Sequence, residues 1–494
     1  MDKKEILSNL ILGNRVAEEE KNSLGSYFVE TIMWKRVFNG DIDIVYGPKG
    51  AGKSAIYSLL IERKNDLMLK NIYVISAENP RGATVFEELK SETTEIDFRN
   101  LWKLYIMALI MDNLIHIENS KVKKIRKKLI EAKIIRPTKV SSLSSTLNNA
   151  LGYLKSLITA KSYESEVKFD PVTGLFAGIS GKITLREPSD TQKKEGYFSI
   201  DNLYEMLKLS LDELDIKIWI AIDRLDVAFS ESPNLEQNAL KALFRVYSDF
   251  GKYDKITLKV FLRNDIWNNL VDSGFREATH TTRSISITWD KRSLMNIIIS
   301  RLLNNIQIIE YYNVDKSEIL SDIDKQFELF YRIFPIKVEN GEKQSLTFDW
   351  ILSHTSDATG FNAPREIIHL LTEAIDNQVR NLDIGTRLPE DLFLFERKVI
   401  KDSLLSVSKE RLVKTLYAEY PTSIANIEKL RGKKIEQTIS SLAQIWSIDE
   451  RKVIDEAQIL VKIGFFKSNT GQKNSYKVPY IYSQGLNMVQ GKEK

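Results

Sequence analysis

Ile42-Asp43-Ile44-Val45-Tyr46-Gly47-Pro48-Lys49-Gly50-Ala51-Gly52-Lys53-Ser54-Ala55-Ile56-Tyr57-Ser58-Leu59-Leu60-Ile61 carries more structural information than any other stretch of the chain. A short apolar run, 42–46, reads as a strand, and 55–61 reads as an amphipathic helix. Between them stands GPKGAGKS, which matches GxxxxGKS. Gly50 and Gly52 let successive backbone N–H groups curl around a phosphate without a Cβ in the way. The helix that follows aims its positive end at the same point. Gly47, Pro48, Lys49, Gly50, Ala51, Gly52, Lys53 and Ser54 are therefore the candidate phosphate-binding segment, with Lys53 on the β/γ oxygens and the Ser54 hydroxyl on Mg²⁺.

Working outward, 71–77 (NIYVISA), Ile216–Ile222 (IKIWIAI), Ile256–Leu262 (ITLKVFL) and Ser284–Thr288 (SISIT) are further strand candidates. Helices over 98–115, 203–214 and 235–250 alternate with them, Asn234 being placed to cap the last. Alternation of this kind predicts an α/β fold with a parallel sheet. Asp223 ends the strand 216–222, where a carboxylate reaches a Mg²⁺ shell. The next position, which holds an acid in ATPases of the additional-strand class, is Arg224. Asp226 is the nearest substitute. Two readings stand for it: a group that polarises the attacking water, or a helix cap and partner of Arg224. Arg263 follows the strand 256–262, at the carboxyl edge where ligands bind in such sheets. It is either a sensor of the γ-phosphate or a surface arginine paired with Asp265. Arg365, after Pro364 at a helix start that Asn362 is placed to cap, is either a phosphate contact or a solvated first-turn side chain. Arg276 and Arg283 precede the last strand, and either is a candidate arginine finger for a neighbouring subunit.

The composition excludes several alternatives. The 494 residues suggest about three domains. Lys plus Arg is 71 against 67 acidic residues, a net charge of +4, too balanced to imply a nucleic-acid binder from overall charge. There is no cysteine, hence no disulfide, thiol catalysis or Cys-containing zinc site. His116, His280, His354 and His369 are far apart and show no HExxH spacing. No run of 18 apolar residues reads as a membrane span, and the N-terminus lacks the apolar core of a signal peptide, so a cytoplasmic location is expected.

The expected organisation is a P-loop domain over 1–289, a helical lid over 290–399 and a C-terminal unit over 400–494. Residues 1–40 read as helical. Residues 119–195 read as an insertion, with a basic run at 121–128 and a Gly-punctuated hairpin candidate at 167–184. The basic run is either a nucleic-acid patch or a solvated helix face. Strands stop at Asp290. The C-terminal unit shows three helix candidates and then a two-stranded segment, the pattern of a winged helix. Ser447 and Glu450 are spaced as a capping box for the helix 448–463. Lys462, Lys467, Lys473 and Lys477 lie around the expected wing, which would touch nucleic acid or pack on a protein.

Several segments together resemble a family of bacterial P-loop ATPases, most of them without an assigned function. They are NRVAE at 14–18, YFVET at 27–31, GPKGAGKSA at 47–55, IDRLDVAF at 222–229, VFLRNDIW at 260–267, ITWD at 287–290, APRE at 363–366 and the ending IGFF…YKVPYIYSQGL. The chain is more distantly similar to origin-recognition-type AAA+ proteins and to STAND ATPases. The resemblance implies Lys53 and Ser54 on phosphate and Mg²⁺, Asp223 on Mg²⁺, Arg263 as first sensor, Arg365 as second sensor, and Asn14 and Val16 near adenine. It also implies ATP rather than GTP, a homo-oligomer, and an effector partner such as a nuclease, often in antiviral defence loci. The leading expectation is an ATP-dependent molecular switch. A nucleic-acid-stimulated loader binding through 400–494 and a non-hydrolysing ATP-binding scaffold are the alternatives.

Overall fold

Continuous apolar runs, rather than alternating ones, form the strands of the central sheet. In the strand Lys217–Ile222 every residue after Lys217 is buried, as expected of a parallel sheet covered on both faces. The computed structural model describes residues 2–14, 31–77, 94–137, 143–162, 183–184, 187–194, 196–223, 233–275, 282–385, 393–469 and 475–492, with backbone alone at 143–144, 156–162, 233–234 and 492. Two compact units result. One is formed by 32–47 and 53–286, the other by 1–31, 48–52 and 287–494.

The first is an α/β unit. Its strands are β1 (Ile44–Gly47), β2 (Ile72–Ser76), β3 (Lys217–Ile222), β4 (Ile256–Arg263) and β5 (Ser284–Ser286), in the order β2-β3-β4-β1-β5. All four pairings are parallel. One strand, β4, separates β1 from β3. This is the α/β P-loop NTPase architecture with an additional strand. Each strand expected for this sheet is present, with ends shifted by at most two residues.

Helices α1 (Lys53–Glu62), α2 (Glu95–Asn113), α3 (Ile200–Leu214), α4 (Pro233–Phe250) and α5 (Asn264–Asp272) belong to the same unit. Thr94 and Asp97 form a capping box at the start of α2. That helix is apolar nearly all round, so it lies in the core, and its Trp102 indole donates to the Ala239 carbonyl at 2.8 Å. The described part of 119–195 belongs to the same core through Val122, Ile125, Leu129, Leu147 and Leu151. Its strand 183–184 pairs in parallel with 198–199, and residues 167–182 of the expected hairpin lie outside the described residues. The basic run is largely committed within the fold. Lys121 pairs with Glu213, Lys123 with Glu118, Arg126 with Asp112, and Lys128 donates to the Gly196 carbonyl.

The start of β1 is held by buried charge. Asp43, 4% exposed, accepts from Lys259 Nζ at 2.9 Å and from Arg283 Nε at 2.7 Å. Lys259 also lies 4.2 Å from the Trp219 ring centroid. Arg283 is thus tied to β1. Arg276 lies outside the described residues.

The second unit is helical with a small sheet. A single core runs from Ile6 to Met488, so the segments 290–399 and 400–494 share it. The expected continuous helix over 1–40 is instead a helix Lys3–Asn9, followed by non-helical Leu10–Asn14 whose Leu10 and Leu12 are buried in this core, and, in the α/β unit, a helix Ile32–Phe38. Helices α6 (Lys291–Leu302), α7 (Ile323–Ile333), α8 (Thr347–Thr355) and α9 (Pro364–Asp383) precede α10 (Arg397–Arg411). A π-helical turn, Leu412–Tyr417, continues α10. Then come β6 (Lys434–Thr438), α11 (Ile439–Trp446), α12 (Glu450–Lys462), β7 (Lys467–Asn469), β8 (Ser475–Lys477) and β9 (Val489–Lys492). The sheet order is β9-β6-β8-β7.

Three capping expectations need correction. Asn234 does not cap α4 but is its second residue, since the helix begins at Pro233. Asp449, not Ser447, caps α12, because Ser447 closes α11 in the left-handed region at φ 59°. Asn362 accepts from the Thr355 hydroxyl, and Ala363 is the N-cap of α9.

His354 is stacked between Trp350 and Tyr480, with ring centroids at 4.0 and 4.2 Å. Burial pushes its pKa below the usual histidine value of 6.5, against the Trp350 carbonyl, which favours the protonated ring. A base whose folded pKa is depressed stabilises the fold above its unfolded pKa. That contribution is lost as pH falls from about 6.5 through the folded value. His354→Phe keeps an aromatic ring but cannot titrate. Denaturant unfolding of both proteins at pH 7.5 and 5.0 should therefore show a smaller acid loss in the variant.

Candidate functional site

The α/β unit contributes the end of β1 and the start of α1. Lys53 is the first residue of α1, and its Nζ donates to the Gly47 carbonyl at 2.8 Å. Ser54 follows within the first turn. Gly47 is directly opposite Arg263 on β4. The register therefore places Lys53, Gly47 and Arg263 together at the carboxyl edge of the sheet. The Arg263 guanidinium forks onto Asp265 at 2.9 and 2.6 Å. The paired state read from sequence is thus the one seen, at a position that also suits a sensor. Asp223 is the first residue after β3 and is 4% exposed. With β4 between them, its backbone stands about 10 Å from that of β1. Arg224 and Asp226 lie outside the described residues.

Residues 48–52 belong to the helical unit. Gly50 and Gly52 adopt φ of 80° and 100°, conformations that L side chains rarely adopt. Gly50 has a second reason to be glycine. A Cβ there would stand 3.3 Å from Ala363, Arg365 and Glu366 at the start of α9. The Ala51 carbonyl accepts from the Trp289 indole at 2.8 Å. Lys49 pairs with Glu419 at 2.7 Å and donates to the Lys414 carbonyl at 3.3 Å. Its side chain is thereby committed, so the role expected for it at a phosphate is that of its backbone N–H. Arg365, half-buried at the second position of α9, lines a small polar cleft with Glu366, His369, Glu410 and Arg411. Asn14 is exposed and Val16 lies outside the described residues. The reading from sequence missed Arg411 and Glu419 altogether, and Glu366 stood inside the quoted APRE segment without a role. Trp289 stood inside the quoted ITWD segment without a role.

In the α/β unit, Lys53 at a helix start and the buried Asp223 carboxylate at a strand end suit a phosphate with a divalent cation. In the helical unit, the two left-handed glycines of 48–52 suit backbone N–H contacts to an anion. Among the described residues no group of three His, Asp or Glu could hold a metal by itself. Ser54 and Asp223 suit a cation whose shell a phosphate completes.

The lysines expected around a wing do not form a uniformly basic face. Lys477 is opposite Lys467 on β7 but also opposite Glu436 on β6. Lys467 and Lys462 are exposed, and Lys473 lies outside the described residues.

No family model matches the chain. No curated protein matches it. Among solved structures, the chain is similar to the Aeropyrum pernix ORC1 protein in complex with DNA, at 11% identity and TM-score 0.34 over 99% of this chain and 96% of that one. It is similar to the Aeropyrum pernix ORC2 protein in its ADPNP–ADP complexes, at 12% identity and TM-score 0.36 over 96% and 94%. It is also similar to Cdc6p from Pyrobaculum aerophilum, at 12% identity and TM-score 0.29 over 97% and 94%. Scores this low carry nothing about ligand or activity, which rest on the geometry of the chain itself.

Proposed function

We propose that the chain is an ATP-binding and ATP-hydrolysing molecular switch that controls a partner effector. One observation carries the reading. Lys53 at the head of α1 faces Gly47 at the end of β1, Arg263 lies in register on the next strand, and Asp223 ends the strand after that. Mg²⁺-bound ATP would supply the reactive phosphoanhydride and part of the charge neutralisation. Gly47–Ser54 would bind the phosphates, with Lys53 exchanging the Gly47 carbonyl for phosphate oxygen. Ser54 and Asp223 would hold the cation. Arg263 would leave Asp265 to meet charge at the γ-phosphate. Arg365 would serve as a second sensor. Asp226 remains the proposed group that orients water, since Arg224 stands where an acid is usual.

The resemblance stated above supports an effector such as a nuclease and a place in antiviral defence. The helix–strand–helix–helix–strand–strand order over 424–477 supports a winged-helix role for the C-terminal segment. The test is steady-state ATPase activity of the purified protein, with and without single- and double-stranded DNA and RNA, alongside Asp226→Asn. Basal turnover that Asp226→Asn reduces at least about 100-fold supports a cycling switch. Stimulation by a nucleic acid favours the loader, and ATP binding without turnover favours the scaffold.

A further inference from the structure

The charge directly behind the phosphate loop has an unusual arrangement. Glu366, the third residue of α9, is 5% exposed. Its Oε1 accepts from Arg411 Nη1 at 2.8 Å. Its Oε2 is buried with no hydrogen-bond partner among the described residues. That same oxygen stands 3.3 Å from the point a Cβ on Gly50 would occupy. A buried carboxylate oxygen without a donor is costly, so something holds it there. Arg411 does so. It is 9% exposed at the end of α10, with Asp357 Oδ2 at 3.9 Å and Tyr482 as a further hydrogen-bond partner. The turn that follows α10 reaches the same loop, through the contacts of Lys414 and Glu419 with Lys49.

We propose that Glu366 and Arg411 are a positioning pair that sets the charge behind the phosphate loop, with Arg411 as the neutralising member. With Arg411 engaged, the loop sees a neutral pair and its N–H groups can take an anion. With Arg411 withdrawn, an uncompensated carboxylate faces the loop and opposes phosphate through a poorly screened medium. Arg411 lies in the C-terminal segment, so a ligand that shifts residues 411–419 changes nucleotide affinity, and by linkage nucleotide changes affinity for that ligand. The inference rests on the ATP-binding reading proposed above.

Titration of the full chain with a fluorescent ATP analogue and Mg²⁺ tests it, using wild type, Lys53→Ala, Arg411→Gln, Arg411→Lys and the double variant Glu366→Gln/Arg411→Gln. Arg411→Gln should bind on the order of tenfold more weakly. Arg411→Lys, and the double variant that removes both charges, should return to within about threefold of wild type. A packing role for Arg411 would not be rescued by a second substitution. Where Arg411→Gln fails to fold, the double variant decides. Folded but at least about tenfold weaker in binding, it overturns the proposal. So does an Arg411→Gln protein that binds as wild type does. A wild type that binds no better than Lys53→Ala overturns the ATP-binding reading itself, and this inference with it.

Discussion

ATP binding by the Lys53→Ala variant is expected to be at least about 100-fold weaker than wild type, with turnover at background. The lysine is placed for one job. It begins α1, where backbone N–H groups already favour an anion, and its ammonium meets the Gly47 carbonyl at 2.8 Å. That carbonyl is a neutral acceptor, and a phosphate oxygen is a charged one. Exchanging the first for the second strengthens the hydrogen bond about twofold and brings opposite charges into contact. The substitution removes that gain and leaves the helix intact, since alanine is the best helix former. The thermal midpoint without nucleotide should therefore stay within a few degrees of wild type. Isothermal titration with Mg²⁺ and ATP, beside thermal unfolding of both proteins, checks both statements. Unchanged affinity would remove the nucleotide reading of the whole segment 47–54.

The fold was legible where structure is local. A buried parallel strand is a short apolar run, and each such run between 42 and 288 became a strand. The turn at 47–54 was legible because its glycine spacing is itself the geometry, with Gly50 and Gly52 at φ of 80° and 100°. Strands β6 and β9 were not. The five residues of β6 hold one aliphatic side chain, Ile435, and its buried Gln437 is satisfied by the Lys434 carbonyl and the Ser441 hydroxyl. The expected split between 290–399 and 400–494 was drawn from a change in element type. Core formation follows tertiary packing, and Phe334 stacks on Phe395 at 4.6 Å while His354 stacks on Tyr480. In the site, Lys53, Asp223 and Arg263 could be named because each ends or begins a recognisable element. Glu366 was quoted without a role, and Arg411 and Glu419 could not be named, since their meaning lies in partners 45 or more residues away. One signal was available: Lys259 interrupts an otherwise apolar strand, and a lysine there must find a buried anion.

That anion is Asp43, and removing it should be the most destabilising single change in the α/β unit. Asp43→Ala is expected to cost about 3–5 kcal/mol, a fall in midpoint on the order of 10 °C. Lys259 is 1% exposed, and besides Asp43 it reaches the Ile42 carbonyl at 2.6 Å and the Trp219 ring. Burial already pushes its pKa below the ordinary lysine value of 10.5, with Asp43 acting against that shift. Without Asp43 only the weaker pull of Asp41 offsets the desolvation, so the folded variant favours the neutral amine more strongly. The sign follows. In the window between its folded pKa and 10.5, the unfolded chain binds more protons than the folded one, so stability rises with pH. The penalty of Asp43→Ala should accordingly be smaller at pH 9.5 than at pH 7. Arg283 complicates nothing in this window, because its guanidinium stays charged. Its half-exposed head can turn to water, whereas Lys259 cannot. Adding Lys259→Met to Asp43→Ala should recover most of the loss, since the buried charge is then gone and a side chain of similar length fills its place. Chemical denaturation of the two variants at both pH values measures the effect. A penalty that is independent of pH and persists in the double variant would mean that Asp43 acts through the shape of the β1 entry and not through Lys259.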